Sequence, residues 1–307
     1  MINIEDICAI IVVYNPSNVN KNIILKNCSV FSGVIVYDNS EDEMLLKNFK
    51  SMLKNNFLHD QTRGKEVIIL GGKGNVGLSK AFNFSIKTAE NNGYKYVILL
   101  DQDTYFPQQE LYKLLKDYEF IKKIKPVGAI GPSKSELSHT FYDFLFDGRF
   151  EWRNFYNGAD VFEVHDLINS GMLIEISVFN LIGGFDENVF LDNSDRSLSL
   201  RLRLKDLRLF ISRNALISHN IGEKLASDLM IKIYYRDPKR EYFVKDLMNL
   251  LFVAYQNSIE DLLLILLLFT SKFFGIVFFK DKRKERLYYF FKGVKESHLL
   301  NKVGQTK

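Results

Sequence analysis

Short apolar runs alternate with longer stretches of helical spacing through the first half of the chain. Five runs rich in β-branched residues predict strands, namely ICAIIVVY, GVIVYD, EVIILG, YVILLD and VGAIG. The stretches between them, such as LSKAFNFSIKTAENNG, repeat apolar residues at the spacing of a helix and end at a glycine. Apolar strands that alternate with helices predict an α/β fold, a mostly parallel sheet with helices on both faces.

Polar residues follow the ends of these predicted strands. In open α/β sheets ligands bind beyond the carboxyl ends of the strands, so these residues are expected to line one binding edge. They are Tyr14, Asn15, Asp38, Asn39, the glycine-rich segment 72–77 and the acidic segment 101–103. The convergence of several such ends favours a binding site over a set of isolated turns.

An acidic pair ends the fourth predicted strand, VILLDQDT. Asp101 and Asp103 follow an apolar run and are separated only by Gln102. Acidic pairs are common at solvated strand ends, but Mg²⁺ or Mn²⁺ is usually held by one or two carboxylates together with substrate phosphates. Because other polar strand ends are predicted nearby, the pair is interpreted as a divalent-metal site.

The segment GKGNVG, residues 72–77, matches the dinucleotide-binding pattern G-x-G-x-x-G between a predicted strand and a predicted helix. That pattern normally follows the first strand of its sheet, whereas this one follows the third. The next strand also ends in a carboxylate pair, which suits a metal better than a ribose. An NAD site and a plain glycine turn are the alternatives for this segment.

A second acidic region is GGFDENVFLDNSDRSLSLRLR, residues 183–203. Its leucines alternate with polar residues, a pattern compatible with a strand or a helix. Asp192 and Asp195 precede this run, so each could cap the start of a helix. Asp195 could equally act as a general base that takes a proton from a nucleophile.

The C-terminal region contains the apolar segment 262–279, LLLILLLFTSKFFGIVFF, which Lys272 alone interrupts with a charge. Ser258 and Asp261 have the spacing of a capping box, so a helix is expected to begin there. The basic run KDKRKER follows. An interfacial helix on an anionic membrane surface is the favoured interpretation, and a buried core helix and a membrane span are the alternatives.

The distribution of charge separates this tail from the rest of the chain. Residues 261–307 carry ten Lys and Arg against four Asp and Glu, a net charge of +6, whereas the preceding 260 residues carry 31 against 33. The main body is therefore not expected to bind nucleic acid. The two cysteines, Cys8 and Cys28, fit neither a disulfide framework nor a metal cluster, and the N-terminal run lacks the basic flank of a signal peptide. A cytoplasmic protein is expected.

Eight motifs follow one another over residues 7–250: VVYNP (12–16), YDNS (37–40), GNVGLSKAFN (74–83), LLDQDT (99–104), LINSGMLI (167–174), GGFDE (183–187), FLDNSD (190–195) and HNIG (219–222). In this order they resemble the inverting glycosyltransferases of family 2, and especially the rhamnosyltransferase-like branch. The resemblance implies a GT-A fold with a Rossmann-like, mostly parallel sheet and flanking helices at 1–230. The remaining residues, 231–307, would form a helical region that meets the membrane through 258–292.

The resemblance also implies roles for single residues. Asp195 would be the catalytic base, and Asp101 and Asp103 would bind Mg²⁺ or Mn²⁺ across the donor diphosphate, with His219 beside them. Contacts with the nucleotide sugar are implied for Tyr14, Asn15, Asp38, Asn75, Gly77, Asn83, Asp101, Gln102, Ser170 and Gly171. The chain departs from the family pattern at Asn169, at Ser197 and at Lys245–Asp246. These differences bear on donor and acceptor more than on the chemistry.

The function implied by the resemblance is metal-dependent, inverting transfer of rhamnose from dTDP-rhamnose. The acceptor would be a glycan or a polyprenyl-diphosphate-linked glycan in bacterial surface polysaccharide synthesis, of O-antigen or capsule. The enzyme would lie on the inner face of the cell membrane. A UDP-sugar such as UDP-galactofuranose is the competing donor. An NAD-dependent oxidoreductase and an inactive membrane-associated binding protein are the alternatives from other classes.

Overall fold

A mixed nine-stranded sheet organises the part of the chain that the computed structural model describes. The described residues are 2–41, 47, 51–52, 66–72, 74–134, 161–219, 237–278 and 281–297. The strands are β1 (Ile7–Val13), β2 (Gly33–Asp38), β3 (Glu66–Gly71), β4 (Tyr96–Asp101), β5 (Thr104–Tyr105), β6 (Val127–Lys134), β7 (Val161–Val164), β8 (Met172–Glu175) and β9 (Arg208–His219). Their order is β3-β2-β1-β4-β8-β6-β9-β5, with β7 paired to β9.

The first four strands form a parallel block, as the alternation of strands and helices predicts. β1 pairs in parallel with β2 and β4, and β2 pairs in parallel with β3. The second half adds antiparallel pairs, because β8 runs against β4 and β6, and β7 and β5 run against β9. The α/β prediction is confirmed, and the antiparallel additions make the whole sheet mixed.

Helices cover both faces of the sheet and continue into a C-terminal group. They are α1 (Asn18–Val30), α2 (Leu78–Asn91), α3 (Gln108–Lys122), α4 (Ile176–Leu181), α5 (Ser194–Arg203), α6 (Val244–Asn257), α7 (Ile259–Phe278) and α8 (Arg283–Lys295). A 3-10 helix, Pro238–Phe243, leads into α6. The segment for which the sequence left strand and helix open is therefore the helix α5.

The sheet is buried on both faces because successive side chains of an apolar strand point to opposite sides. In β1, Ile7 and Ile11 pack in a core with residues of α1 and α3. The alternate residues Cys8 and Ile10 pack in a second core with residues of α2 and α5. Cys8 and Cys28 are both buried and form no disulfide, as expected for cysteines that serve as small apolar residues.

The C-terminal helices pack onto the part of the chain that contains the sheet, and α5 provides the contact. Leu200 of α5 lies in a cluster with Leu250 of α6 and Ile265 of α7. The predicted start of α7 is confirmed, since the Asp261 N–H donates to the Ser258 hydroxyl at 3.2 Å and this hydroxyl donates to the Asp261 carboxylate at 2.6 Å. The second bond of a capping box does not form, because the Ser258 N–H donates to the Ala254 carbonyl. The boundary predicted at residues 230 and 231 stays a prediction, because residues 220–236 lie outside the described part of the chain.

A buried ion pair fixes the start of α7 to α5. Arg203 donates to both carboxylate oxygens of Asp261, at 2.6 and 3.0 Å, and Asp261 is 2% exposed. His165 lies between two carboxylates, 3.4 Å from Asp261 and 3.3 Å from Asp166. Burial opposes ionisation of Asp261, but the hydrogen bonds from Arg203 and Ser258 outweigh it and hold the pKa of Asp261 below its ordinary value of 3.8.

We therefore expect acid to weaken the attachment of the C-terminal helices. A lowered folded-state pKa means that the contribution of Asp261 is present above pH 3.8 and is lost as the pH falls through the lower folded value. Asp261→Asn should cost about 3 kcal/mol near neutral pH, because Arg203 loses its buried partner. Urea unfolding at about pH 6 and about pH 3 should show a smaller acid effect in the variant.

The matched control is Asp6→Asn, which removes an exposed ion pair with Lys95 at 3.0 Å. Exposed pairs contribute less than about 1 kcal/mol, so this variant should retain the stability of the native protein and its response to acid. Equal effects of the two substitutions would contradict the role given to Asp261.

Candidate active site

The predicted binding residues meet at one edge of the sheet because the neighbouring strands end in register. Val13 pairs with Asp38 between β1 and β2, and Val12 pairs with Asp101 between β1 and β4. Asp38 in turn pairs with Gly71 at the end of β3. The residues that follow these strands therefore lie together at the carboxyl edge.

Asp38 presents a buried oxygen without a partner at this edge. The residue is 1% exposed, and its Oδ1 accepts the N–H of Ser40 at 2.8 Å. Its Oδ2 has no hydrogen-bond partner among the described residues. A buried polar atom left without a partner costs about 1–3 kcal/mol. The carboxylate is thus suited to receive an N–H or O–H group from a ligand.

Tyr14 and Asn15 connect the end of β1 to its neighbours on both sides. The Tyr14 N–H donates to the Gln102 side chain at 2.9 Å, and the Asn15 N–H donates to the Ser40 hydroxyl at 2.8 Å. Asn15 has a φ of 44°, in the left-handed region that asparagine adopts more readily than most residues. Gln102 and Tyr14, both predicted to contact the donor, are therefore adjacent, and the Tyr14 side chain is exposed.

The first carboxylate of the acidic pair is held from the β8 side of the sheet. The Ser170 hydroxyl donates to Asp101, and Ser170 itself is 3% exposed. Gly171 follows at φ 84°, and its N–H donates to the Leu99 carbonyl at 2.7 Å. A Cβ on Gly171 would lie 2.6 Å from the Pro132 ring, so only glycine fits this approach.

Asp103 lies in the turn between β4 and β5, and the short strand β5 brings β9 beside it. Thr104, the next residue, pairs with the backbone of His219 at the end of β9. The three predicted metal residues thus belong to adjacent backbone segments.

The acidic pair has the chemistry that a divalent cation requires. Within the described residues no group of three or more His, Cys, Asp or Glu side chains is placed to hold a metal. Mg²⁺ is usually held by one or two carboxylates, and its remaining ligands come from substrate phosphates and water. Asp101 and Asp103 therefore fit such a cation.

Asp195 stands in the first turn of α5. The helix begins after Asn193, whose φ of 66° turns the chain, and the Asn193 side chain makes no capping bond. The Asp195 carboxylate accepts the N–H of Arg196 at 2.8 Å and is half-buried. A negatively charged residue in the first turn of a helix is stabilised by the helix dipole. A carboxylate side chain is also one of the groups that can act as a general base.

A short polar link that the sequence did not predict joins the acidic pair to the helix of Asp195. Asn169 precedes Ser170, the partner of Asp101, and its side-chain N–H donates to the Ser194 hydroxyl at 3.0 Å. Ser194 in turn precedes Asp195. The Asn169 Oδ1 is buried and has no hydrogen-bond partner among the described residues. One dipeptide, residues 169–170, thus positions both predicted centres.

Phe190 covers the C-terminal end of the glycine-rich segment. Gly77, at φ 90°, lies so close to Phe190 that a Cβ would be 2.7 Å from its ring. The Leu78 N–H, at the start of α2, donates to the Phe190 carbonyl at 2.6 Å. A dinucleotide needs such N–H groups for its pyrophosphate, and this one is already engaged by the chain, which disfavours the NAD interpretation.

Two residues that are predicted to contact the nucleotide sugar form hydrogen bonds within the protein in this region. The Asn75 side chain accepts the Gly77 N–H at 3.0 Å. Asn83 joins α2 to the segment after Gly184, because its amide accepts the Phe185 N–H at 2.9 Å and donates to the Phe185 carbonyl at 3.0 Å. Their predicted contacts with the donor remain predictions.

Helix α6 holds the segment that leads to Asp195. Asp246, which is 0% exposed, accepts three successive N–H groups, from Phe190 at 3.0 Å, Leu191 at 2.9 Å and Asp192 at 3.0 Å. The Asn249 side chain donates to the Asn188 carbonyl at 2.8 Å. Asp192 does not cap α5. Its carboxylate lies 3.1 Å from the Arg240 guanidinium and 3.6 Å from the Lys272 ammonium.

Polar residues gathered at the carboxyl ends of β1, β2 and β4, in a sheet with helices on both faces, are the arrangement expected of a GT-A fold. Residues 8–180 match the family described as Glycosyl transferase family 2. The chain belongs to this family and is a glycosyltransferase. The family prediction is confirmed.

Individual relatives agree with this assignment. The chain is 27% identical over 246 residues to a protein named dTDP-rhamnosyl transferase RfbF from Shigella flexneri, over 78% of this chain and 77% of the relative. The fold of the present chain is similar to that of mannosyltransferase PcManGT from Pyrobaculum calidifontis, which was solved with GDP-Man and Mn²⁺. The TM-score is 0.59 at 13% identity, over 98% of this chain and 79% of that one.

A second solved structure is GalNAc-T7 with UDP, GalNAc and Mn²⁺. The TM-score is 0.52 at 12% identity, over 79% of this chain and 50% of that one, so the present chain spans half the length of GalNAc-T7. At these identities the two structures bear on the fold, and they confirm the GT-A prediction.

Proposed function

We propose that this glycosyltransferase moves rhamnose from dTDP-rhamnose to a hydroxyl group of a glycan acceptor, with inversion at the anomeric carbon. The relative named as a dTDP-rhamnosyl transferase supports the donor. The observation that carries the chemistry is the link through residues 169–170. Ser170 bonds to Asp101, which is predicted to lie beside the donor diphosphate. Asn169 bonds to Ser194, which precedes the predicted base Asp195.

The nucleotide would bind over the ends of β1 and β2. Asp38 Oδ2 would accept a hydrogen bond from the base or the ribose, which removes the cost of an unpaired buried oxygen. Gln102 and Tyr14 would border the same region. This assignment gives a partner to the Asp38 Oδ2 atom, which has none among the described residues.

Asp101 and Asp103 are the residues that would hold Mg²⁺ or Mn²⁺, with His219 beside them. Mn²⁺ is present in both comparison structures, PcManGT and GalNAc-T7. A divalent cation bound here would stabilise the negative charge that grows on the departing diphosphate.

Asp195 would act on the acceptor. A sugar hydroxyl is a weak nucleophile until a carboxylate takes its proton. As the acceptor oxygen bonds to the anomeric carbon, the bond from that carbon to the diphosphate oxygen breaks, and Asp195 receives the proton. Attack from the face opposite to the leaving group gives inversion in one step.

We also propose the cellular setting. The acceptor would be a glycan or a polyprenyl-diphosphate-linked glycan in bacterial surface polysaccharide synthesis, of O-antigen or capsule. The reaction would take place on the cytoplasmic side of the membrane. The apolar and basic C-terminal region supports a lipid-linked acceptor over a soluble one.

A thermal-shift panel tests the donor class. The ligands are dTDP, UDP, GDP and NAD, each with and without Mn²⁺. A ligand present at a hundred times its Kd stabilises the native state by about 2.7 kcal/mol. We expect the largest shift with dTDP plus Mn²⁺, and we expect Asp103→Asn to abolish the metal-dependent part.

The control is Asp206→Asn, an exposed aspartate in the turn after α5 whose φ of 57° asparagine tolerates. It should respond to ligands like the native protein. A preference for UDP would identify a UDP-sugar such as UDP-galactofuranose as donor. Stabilisation by NAD alone, independent of Mn²⁺ and of Asp103, would overturn the proposal.

A further inference from the structure

Helix α7 has an exposed apolar face along its whole length. The residues of this outer face recur at three- to four-residue multiples, which places them on one side of a helix. They are Ile259 (74% exposed), Leu263 (62%), Leu266 (40%), Leu267 (47%), Phe274 (53%) and Phe278 (60%). Monomeric proteins seldom expose contiguous apolar patches of this kind without an interaction partner.

The opposite face of α7 is committed to the protein. Ile265 and Ile276 are buried against α6 and α8. Lys272, the charge that interrupts the apolar sequence, lies on this inner side and contacts Asp192 at 3.6 Å. α7 is the one helix of the described residues long and apolar enough to span a bilayer. Its charged and packed inner face is better suited to a helix that lies flat.

Helix α8 extends the outer face with a different composition. Lys284, Tyr288, Phe291 and Lys295 are all exposed and follow one another at helical spacing along one side. Phe291 lies 6.2 Å from Phe273 of α7 between ring centroids, so the exposed side of α8 adjoins α7. Aromatic rings bordered by lysines are typical of a membrane–water interface, where the rings lie at the headgroups and the lysines reach anionic phosphates.

We infer that the outer face of α7 and α8 lies in the plane of an anionic lipid bilayer, with the sheet and its flanking helices above it. The basic excess of the tail, +6 over residues 261–307, matches the negative surface charge of such a bilayer. The apolar side chains enter the boundary between headgroups and acyl chains. This inference concerns a surface apart from the active site and does not depend on the donor.

Vesicle flotation with the full chain tests the inference. The probes are vesicles of phosphatidylcholine alone and of phosphatidylcholine with phosphatidylglycerol. We expect the protein to float with the anionic vesicles and to partition at least about tenfold less onto the neutral ones. The double variant Leu263→Glu/Phe274→Glu should reduce binding by at least about tenfold, because it places two charges at the apolar boundary. Lys284→Glu/Lys295→Glu should lower binding and its salt sensitivity.

The matched control is Leu181→Glu, an equally exposed leucine (61%) at the end of α4. It should bind vesicles like the native protein, and all variants should keep the native circular dichroism spectrum because the substituted side chains are exposed. Failure of the native protein to float, or equal flotation of Leu263→Glu/Phe274→Glu, would overturn the inference. A native dimer that this variant converts to a monomer, without vesicle binding, would instead make the face a contact between copies.

Discussion

Asp195→Asn is expected to lower turnover by on the order of 10² to 10⁴, the usual contribution of general-base catalysis. Asparagine keeps an oxygen that can accept the Arg196 N–H, now bonded at 2.8 Å, so the start of α5 should persist. It cannot accept the proton of the acceptor hydroxyl. Nucleotide affinity in the thermal-shift panel should stay close to that of the native protein, since Asp195 is placed on the acceptor side.

The matched control is Asp192→Asn in the same segment. The Asp192 carboxylate already forms ion pairs with the Arg240 guanidinium and the Lys272 ammonium. Its substitution should affect turnover far less than that of Asp195. Steady-state release of dTDP with a glycan acceptor measures both. A native rate in Asp195→Asn, or an equal loss in Asp192→Asn, would remove Asp195 from the role of base and support an inactive binding protein.

The sheet edge could be predicted because each strand carries its own signal. β1, β2 and β4 are apolar throughout, and parallel pairing then forces their polar ends together. Asp38 and Asp101 are thus located by local pattern alone. The antiparallel strands β5, β7 and β8 are short, two to four residues long, and no periodicity marks segments of that length.

The links between the predicted centres were not predictable in the same way. Ser170 reaches Asp101 across 69 residues, and Asn169 reaches Ser194 across 25. Serine and asparagine are also common in ordinary turns, so their type alone does not indicate such contacts. In the sequence, Asn169 and Asp246 stand out only because they depart from the family pattern. In the structure, both hold segments of the site.

Two clear sequence patterns could be interpreted only from their contacts in the folded structure. GKGNVG matches a dinucleotide-binding pattern. Phe190, more than a hundred residues away, fills the space beside Gly77, and its carbonyl accepts the Leu78 N–H. Lys272 alone interrupts the apolar segment 262–279 with a charge, and its ammonium lies 3.6 Å from the Asp192 carboxylate. In both cases a distant part of the chain decides the role of a local motif.

Asp246→Ala is expected to destabilise the protein by about 3 kcal/mol, because three backbone N–H groups lose one common acceptor. The same groups precede α5, so turnover should fall while the affinity for dTDP is retained. Asn249→Ala is the matched control on the same helix. It removes a single bond to the Asn188 carbonyl and should cost about 1 kcal/mol with little change in turnover.

The conservative variant Asp246→Asn separates positioning from packing. It keeps an oxygen toward the Leu191 and Asp192 N–H groups, so it should recover most of the stability and turnover lost in Asp246→Ala. Burial raises the pKa of Asp246 from 3.8 to about 6, despite the N–H donors. A raised folded-state pKa gives a contribution to stability that is complete below pH 3.8 and is lost as the pH rises through about 6.

The free energy of unfolding in urea, measured at about pH 5 and about pH 8, should therefore fall with rising pH more in the native protein than in Asp246→Asn. At the higher pH the native protein buries a charge that asparagine lacks, so the two stabilities should converge there. Identical pH responses would show that Asp246 does not titrate in this range. Full turnover in Asp246→Ala, despite its lower stability, would show that α6 supports the fold without positioning Asp195.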